Sequence, residues 1–586
     1  MTLDQYERHY HEADEQYKSL LHQSNQLSIL RFILFIMSIL CLLIGYFYHI
    51  YFLYLISLIC LSGFIIIVYK HNHMKTKIYY FQSLTHTYHT HIQRIHNQWD
   101  TFEDDGIDLL EDDISIDLDL FGHHSLFQFI NCTFTDKGRQ LLSSFIIHPQ
   151  TSLKQIKMRQ EALQEFQEHE DFIIQSQTYG HLTKNKDEKM IKQFLKNDDF
   201  QSYHVIPSII FICPFIVILS LCFVFLSIAM PYSYVICEIT IVFQIILTLC
   251  FILAHQRLFE PIQHFHMSLK HYYRIFELIE NQTFHTPLLQ ELQMKLTKNK
   301  ATQAILQLSK ISQLISYRQN IICMILFNAI GLYDFYLRYI YIKWLNKYYD
   351  HISTWFDTLA QIEMLISLYV VKMDNFDVTL PHLTENMDLS FDDLKHPLLD
   401  PSKAVGNSFQ IEKHVCVITG SNMSGKTTFM RTIALNLVLA YLGTYVFAKS
   451  MNCTYMTILT SMRVKDNVEE GISTFYGELL RIKKMIAYSQ KKEPMICFID
   501  EIFKGTNSLD RIAGAKATIQ KLSLNHCFVF ITTHDFELCQ CENCDMSNYH
   551  FTEYYQDNHI YFDYLIHKGQ SKTTNGHFLL KQIGII

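Results

Sequence analysis

The chain has 586 residues, carries a net charge of −8 at pH 7 and is 49% hydrophobic. At about 150 residues per domain, this length predicts about four structural units. The acidic balance excludes a uniformly basic nucleic-acid-binding protein, so any contact with DNA would need a local basic patch. The 15 cysteines follow no spacing typical of a secreted disulfide framework, so reduced thiols are expected. Glycine and proline are scarce, which favours a helix-rich protein.

Nearly uncharged apolar runs occur in two pairs. Each run approaches the roughly 20 residues that a helix needs to cross a bilayer. The sequence therefore predicts four transmembrane helices, at residues 32–48, 51–69, 208–228 and 232–254. The alternative is a pair of apolar hairpins buried in a soluble core. Glu238, within the fourth run, is expected to face another helix, a polar cavity or the membrane interface.

Basic residues flank both pairs of runs on one side only. They are Arg31, Lys70, Lys75, Lys77, Lys184, Lys186, Lys189, Lys192, Lys196, Arg257 and Lys270. The two tips, near His49 and Pro231, lack lysine and arginine. Because positive flanks stay on the cytoplasmic side, both termini and the large segments are expected in the cytoplasm of a multi-pass cell-membrane protein.

The remaining sequence divides by composition. Residues 1–100 form an N-terminal helical region that contains the first hairpin. Residues 101–120 are rich in Asp and Glu, and their simplest interpretation is a solvated acidic linker. Residues 121–390 are mainly helical and are interrupted by the second hairpin. Residues 391–586 alternate short apolar strands with helices, which predicts an α/β domain.

A phosphate-binding loop is the strongest motif. An apolar run at 415–418 precedes it, and helical spacing follows at 429–442, which is the strand–loop–helix context that G-x-x-x-x-G-K-T requires. Lys426 would reach the β- and γ-phosphates, and the Thr427 hydroxyl would hold Mg²⁺. The alternative is an ordinary glycine turn before a helix. The predicted phosphate-binding residues are Gly420, Ser421, Asn422, Met423, Ser424, Gly425, Lys426, Thr427 and Thr428.

Two further apolar strands end in polar groups that suit catalysis. The run at 495–499 leads into Asp500 and Glu501, and the run at 528–531 leads to His534. Asp500 would bind Mg²⁺, and Glu501 would orient or deprotonate the attacking water. His534 could place an imidazole near the γ-phosphate. Each acid could alternatively be a surface carboxylate, and a lone histidine is more often structural.

Two other features leave alternatives open. Ser473 and Thr474 open a helix that carries Glu478, and this arrangement suits either an anion site or a plain N-cap. Cys539, Cys541 and Cys544 could bind zinc with a nearby histidine, His534 or His550. Their spacing is not that of a standard zinc finger, so structural or surface thiols are the favoured interpretation.

The phosphate loop and its surroundings resemble one family. The stretch 419–431 is similar to the nucleotide loop of the MutS family of mismatch-repair ATPases, through Asn422-Met423 and Phe429-Met430-Arg431. Other motifs follow in that family's order: His396-Pro397, Asn407, 440–446, 471–475 with Glu478, Asp500-Glu501, 504–507 and Thr533-His534. A weaker resemblance to the family's helical lever lies at 118–122, Ser125-Leu126, Thr135, Gly138 and 158–160.

The resemblance implies an ABC-type ATPase that uses ATP and Mg²⁺ and works as a homodimer. Each nucleotide would lie between the phosphate loop of one subunit and Ser473-Thr474 of the other. Asn407 would belong to the nucleotide site, and Asn507 and Asp510 would lie near the dimer interface. ATP would fasten the dimer, and hydrolysis would release it.

The sequence also departs from the repair members of that family. Their N-terminal mismatch-reading domain carries a Phe-x-Glu wedge, whereas this region holds an apolar hairpin. The second hairpin falls where the family inserts its DNA clamp, and we expect that it replaces the clamp. Two functions stay open: a membrane-tethered DNA-binding protein of mismatch repair, and a membrane ATP switch acting on a protein or lipid partner. A transporter is less favoured, because this arrangement of spans makes a poor transport core.

Overall fold

The computed structural model describes residues 1–110, 112–149, 152–183, 265–331, 333–463, 474–504, 507–540, 545–556 and 559–571, with single positions between 222 and 262. It divides into two compact units. The first unit comprises Met1–Ile92, Thr133–Arg139 and Glu168–Glu363. The second comprises Gln93–Cys132, Gln140–Gln167 and Met364–Ile586.

Helices dominate the described residues up to 373, as the composition predicts. In chain order they are α1 (Leu3–Tyr48), α2 (Tyr51–Ile95), α3 (Asp113–Asp117), α4 (Leu126–Ile130), α5 (Asp136–Ile147), α6 (Leu153–Glu165), α7 (Glu170–Thr183), α8 (His266–Asn281), α9 (Pro287–Thr297), α10 (Ala301–Ser316), α11 (Ile321–Gly331) and α12 (Tyr333–Met373). α1 ends at His49, whose left-handed φ of 55° terminates the helix before α2 begins.

The first apolar pair forms a helical hairpin in the first unit. α1 and α2 are the two helices of the described residues that are long and apolar enough to cross a membrane. Their most apolar windows are only 11% and 6% buried. Ser38 and Ser57 tie the helices together, because each hydroxyl donates to the other residue's carbonyl, at 3.1 and 2.9 Å. The second predicted pair, 208–228 and 232–254, lies outside the described residues apart from single positions such as Glu238.

A buried carboxyl group organises another part of the first unit. Glu363 of α12 is 1% exposed and lies at the N-terminus of α5. Its Oε2 accepts the backbone N–H groups of Phe134 and Thr135 at 3.1 and 3.0 Å, and its Oε1 contacts the Thr135 hydroxyl at 2.8 Å. A Cβ at Gly138 would lie 2.2 Å from Oε2, so only glycine fits there. Burial raises the pKa of Glu363 to about 8, against these hydrogen bonds.

After residue 381, the described residues of the second unit form two sheets and three α-helices. The elements are β1 (His382–Thr384), β2 (Leu389–Leu394), β3 (Asn407–Gln410), β4 (Val415–Thr419), α13 (Lys426–Leu442), β5 (Ser450–Thr454), β6 (Thr457–Ser461), α14 (Thr474–Ser489), β7 (Met495–Asp500), α15 (Ser508–Leu522), β8 (Cys527–Thr532), β9 (Met546–Gln556) and β10 (His559–Lys568). The smaller sheet has the order β1-β5-β2-β3. The larger has the order β10-β9-β4-β8-β7-β6.

The larger sheet confirms the α/β expectation. The five strands β9, β4, β8, β7 and β6 run parallel to one another. The edge strand β10 pairs antiparallel with β9. β4 and β8 are buried along their whole length, as strands covered on both faces are. The carboxyl ends of β4, β7 and β8 therefore lie at one edge of this sheet.

The second half of the acidic segment differs from the solvated linker that composition predicts. Asp117 is fully buried, and its carboxylate accepts the backbone N–H groups of Met462 and Arg463 at 3.0 and 2.8 Å. Arg481 also donates to it, at 2.9 Å. Further ion pairs join Asp113 with Arg481, and Asp119 with Arg431 and Arg463. The basic partners lie more than 300 residues away in the chain, so local composition does not reveal them.

We predict that Glu363→Gln removes a pH dependence of stability. The folded protein keeps Glu363 protonated up to about pH 8, whereas its usual pKa is near 4.5. Between these values the folded state binds a proton that the unfolded state lacks, so stability falls as pH rises through this window. A glutamine mimics the protonated acid. The advantage in thermal midpoint of Glu363→Gln over wild type should therefore grow from pH 5 to pH 8 in detergent solution.

Asp357→Asn is the control on the same helix. Asp357 is 55% exposed and pairs with Lys137, so its loss should cost no more than about 1 kcal/mol. Parallel pH curves for wild type and Glu363→Gln would contradict the protonated state of Glu363.

Candidate nucleotide-binding site

Strand register brings the predicted site residues to one edge of the larger sheet. Thr532 at the end of β8 pairs with Ile418 of β4 on one side and with Asp500 of β7 on the other. The backbone N–H of Glu501 donates to the Thr532 carbonyl at 3.1 Å, and that of Thr533 donates to the Ile418 carbonyl. The phosphate loop after β4 and the two acids at the end of β7 thus lie on either side of the end of β8.

The loop conformation depends on its two glycines. Gly420 and Gly425 have φ values of 148° and 104°. A Cβ at Gly420 would lie 3.1 Å from the Phe551 carbonyl, so the strand β9 leaves no room for a side chain there. Gly425 directly precedes α13, whose first-turn N–H groups and dipole favour an anion.

Lys426 is the first residue of α13 and is 5% exposed. Its ammonium group donates to the carbonyls of Gly420 and Ser421, at 2.8 and 2.7 Å. Burial lowers the pKa of Lys426, and the negative charges of Glu501 and Asp500 oppose that shift. Two carbonyls of the loop thus hold the ammonium group of Lys426 in place. When a nucleotide binds, phosphate oxygens can replace these carbonyls as its hydrogen-bond partners.

Thr427 and Asp500 form the predicted metal pair. The Thr427 hydroxyl lies 3.1 and 3.0 Å from the two carboxylate oxygens of Asp500. Thr532 also donates its hydroxyl to Asp500, at 2.5 Å, which fixes the carboxylate. Hydroxyl and carboxylate oxygens beside a phosphate-binding loop are the ligands that Mg²⁺ prefers, so these residues fit that ion.

Glu501 and His534, each predicted to lie near the γ-phosphate, contact each other in the structure. His534 Nε2 lies 3.2 Å from Glu501 Oε1 and 2.9 Å from the side-chain oxygen of Asn422. Lys504 contacts the other carboxylate oxygen of Glu501, at 3.2 Å. The hydrogen bond with His534, together with Lys504, lowers the pKa of Glu501 to about 2. Glu501 therefore carries its charge throughout the physiological range.

A cleft of about 400 Å³ opens beside the loop. The predicted residues that line it are Asn407, Asn422, Met423, Ser424, Gly425, Lys426, Thr427, Thr428 and Glu501. The neighbouring Phe551, Tyr564 and His396 complete much of the wall. Burial lowers the pKa of His396 to about 3, so its ring is neutral there. Gly420, Ser421, Asp500 and His534 are not among the lining residues, and the Ser421 hydroxyl bonds Glu553 instead.

Asn407 lines the cleft and also holds a second lining residue, Tyr564, in place. Its side-chain nitrogen donates to the Tyr564 carbonyl at 3.0 Å, and its oxygen accepts the Ile566 N–H at 2.8 Å. These bonds hold β10 where its register with β9 shifts, and Tyr564 has a left-handed φ of 55° at that point. Tyr564 lies against Gly425. Sequence reasoning missed this tyrosine, because a tyrosine among the many aromatic residues of β10 carries no motif.

The predicted anion site at Ser473 and Thr474 is described only in part. Ser473 lies outside the described residues, and Thr474 is the first residue of α14. Glu478 of α14 is 9% exposed, and burial raises its pKa, against backbone hydrogen bonds from Lys504 and Phe503. Phe475 also packs against Phe503, with ring centroids 6.1 Å apart. α14 thus packs against and stabilises the turn that follows Glu501.

The cysteine motif lies largely outside the described residues. Cys539 is buried, and burial raises the pKa of its thiol to about 11. Cys541 and Cys544 lie outside the described residues. Within the part of the chain that the structure describes, no group of three metal-ligating side chains comes together.

A glycine loop and an acidic strand end that meet at one edge of a parallel sheet define a P-loop nucleotide-binding domain. Comparison with known families narrows this class. The family model for MutS domain V, the ATPase domain, matches residues 416–585, and the model for MutS domain III matches residues 111–368. The chain belongs to the MutS family.

We predict that Asn407→Ala weakens MgATP binding without changing catalysis. The two lost hydrogen bonds contribute roughly 1 kcal/mol each, so release of Tyr564 should raise the dissociation constant by up to about 30-fold. The turnover number should stay within about twofold, because Glu501 and His534 are untouched. A fluorescent-nucleotide titration and steady-state hydrolysis separate the two effects.

Asn452→Ala is the matched control. Asn452 bonds the Ser390 hydroxyl at 3.2 Å in the smaller sheet and should leave nucleotide affinity unchanged. Equal affinities for Asn407→Ala and wild type would show that Asn407 does not shape the cleft.

Proposed function

We propose that this protein is a membrane-anchored MutS-type ATPase that hydrolyses ATP with Mg²⁺ and acts as a dimeric switch. One observation carries the proposal. Lys426, the pair Thr427–Asp500 and the pair Glu501–His534 converge at one edge of the sheet. These are the groups that phosphoryl transfer to water requires.

The residues divide the work of hydrolysis among them. Lys426 exchanges the loop carbonyls for phosphate oxygens and neutralises their charge. Mg²⁺, held by Thr427 and Asp500, would supply further charge neutralisation. Glu501 accepts a hydrogen bond from the attacking water. Its pKa of about 2 makes it a weak base, so it orients the water more than it removes a proton before attack.

Anchoring in a membrane is supported by the exposure of the apolar hairpin. The core helix of a soluble protein is mostly buried, whereas the apolar windows of α1 and α2 are only 11% and 6% buried. Exposed apolar area of this extent requires an apolar environment. We infer that α1 and α2 cross the cell membrane and that the ATPase domain and both termini are cytoplasmic.

A homodimer with composite sites is inferred from the family. Ser473 and Thr474 of one subunit would complete the nucleotide site of the other. Asn507 would support the same interface, because its side chain caps α15 by accepting the Asp510 N–H at 2.9 Å. ATP binding would close this dimer, and hydrolysis would open it.

The target of the switch has two candidates. MutS membership favours DNA, with mismatch repair as the process. The exposed apolar hairpin in the N-terminal region and the net charge of −8 favour a protein or lipid partner at the membrane instead. DNA binding would weaken steeply with rising salt, because phosphate contacts release counterions.

We predict that Lys426→Ala reduces ATP hydrolysis by the full-length protein at least 100-fold, because the phosphates lose their main cationic partner. Steady-state phosphate release, with and without duplex, mismatched and branched DNA at several salt concentrations, is the measurement. Lys449→Ala, which changes a 72% exposed lysine, should behave as wild type.

Equal turnover by wild type and Lys426→Ala would refute the ATPase. A salt-sensitive stimulation by mismatched DNA would select the repair function. Turnover that is indifferent to every DNA would select the switch with a protein or lipid partner.

We predict that the tip of the hairpin faces the cell exterior. A protease site inserted between His49 and Ile50 should be cleaved in intact cells by externally added protease, because this tip lacks the positive charge that is retained in the cytoplasm. The same site inserted after Gly569, in the ATPase domain, should be cleaved only after lysis. Protection of the tip in intact cells, with cleavage after lysis, would contradict the proposed topology.

A further inference from the structure

An ion pair outside the predicted motifs lies directly beside the catalytic histidine. Arg511 of α15 makes two parallel hydrogen bonds with Asp535. Nε and Oδ2 lie 2.8 Å apart, and the terminal nitrogen and Oδ1 also lie 2.8 Å apart. The two side chains are 27% and 19% exposed. A bidentate pair of this kind fixes the relative orientation of its two groups more tightly than a single contact does.

Asp535 is the residue after His534, so the pair acts on the segment that carries the imidazole. The backbone of this segment is fixed before His534, where the Thr533 N–H donates to the Ile418 carbonyl at 3.1 Å. After His534, the Asp535 N–H donates to the Thr533 hydroxyl at 3.0 Å. The Asp535 carboxylate then ties the segment to α15 through Arg511.

His534 depends on such support because its ring is 41% exposed. Its Nε2 nevertheless contacts two groups at once, Asn422 of the phosphate loop and Glu501. A half-exposed ring keeps two such contacts only when its backbone cannot shift. A displacement of about 1 Å at a catalytic group can lower a rate by about 100-fold.

The other end of the ion pair leads to the loop before α15. Arg511 lies one turn into this helix, and its N–H donates to the Asn507 carbonyl at 3.0 Å. Asn507 caps the same helix through Asp510. A movement of the loop at Asn507 therefore moves Arg511, and with it Asp535.

We propose that Arg511 and Asp535 are positioning residues that set the orientation of His534 toward Glu501 and couple it to the start of α15. The inference rests on the proposed ATPase function. With Asn507 at the dimer interface that the family implies, dimer closure would change the orientation of His534 through Arg511 and Asp535. A purely structural ion pair at this exposure would contribute little to stability and nothing specific to catalysis.

The test is a mutant cycle on the full-length protein. Arg511→Gln, Asp535→Asn and the double variant are each made in wild type and in His534→Ala. Turnover number and KM for MgATP are measured, with single-turnover assays for the slow variants, and thermal midpoints report folding. Glu412→Gln, which breaks the exposed pair with Lys568, is the control.

We expect each single substitution to lower the turnover number by roughly 10- to 100-fold at nearly constant KM. The double variant should be no slower than either single variant. In the His534→Ala background, the same substitutions should change turnover by less than about twofold, because their route to Glu501 is already lost.

Unchanged turnover in the single variants would overturn the proposal. Equal losses in the wild-type and His534→Ala backgrounds would also overturn it, because the pair would then act independently of the histidine. These results differ from failure of the ATPase itself, in which wild type and Lys426→Ala would hydrolyse ATP equally slowly.

Discussion

The site depends on one position in the larger sheet, Thr532 at the end of β8. Its backbone aligns with the strand before the phosphate loop on one side and with Asp500 on the other. Its hydroxyl fixes the Asp500 carboxylate, and its carbonyl accepts the N–H of Glu501. The metal pair and the water-orienting acid are therefore placed by strand register.

Side chains that precede residue 391 in the sequence stabilise the helices that flank the nucleotide site. Arg159 of α6 donates to the carbonyls of Leu442 and Tyr441 at the end of α13, at 2.8 and 3.0 Å. These are carbonyls that a helix end leaves without intrahelical partners. Burial lowers the pKa of Arg159 to about 10, yet the guanidinium stays charged at neutral pH. Asp117 similarly holds Arg481 of α14. The compact unit accordingly includes Gln93–Cys132 and Gln140–Gln167, well before residue 391.

The sequence was sufficient for the parts of the site that rest on local patterns. The strands at 415–418, 495–499 and 528–531, the glycine loop and the placement of Glu501 and His534 after strand ends all follow from short motifs with a fixed order. Contacts between distant residues were not predictable. Asp117 resembles any linker acid until Arg481 is placed beside it, and no motif indicates that Asn407 also holds Tyr564. The second hairpin and Ser473 lie outside the described residues and stay predictions.

Closure of a dimer by ATP is the central claim, and the oligomeric state of a slowed enzyme tests it most directly. Glu501→Gln keeps the shape of the side chain but lacks the charge that orients water, so this variant should bind MgATP and hydrolyse it slowly. Mass photometry of the full-length variant in detergent micelles should show dimers accumulating with MgATP and monomers returning with MgADP. An unchanged monomer fraction with saturating MgATP, at concentrations where binding is measured directly, would contradict the account.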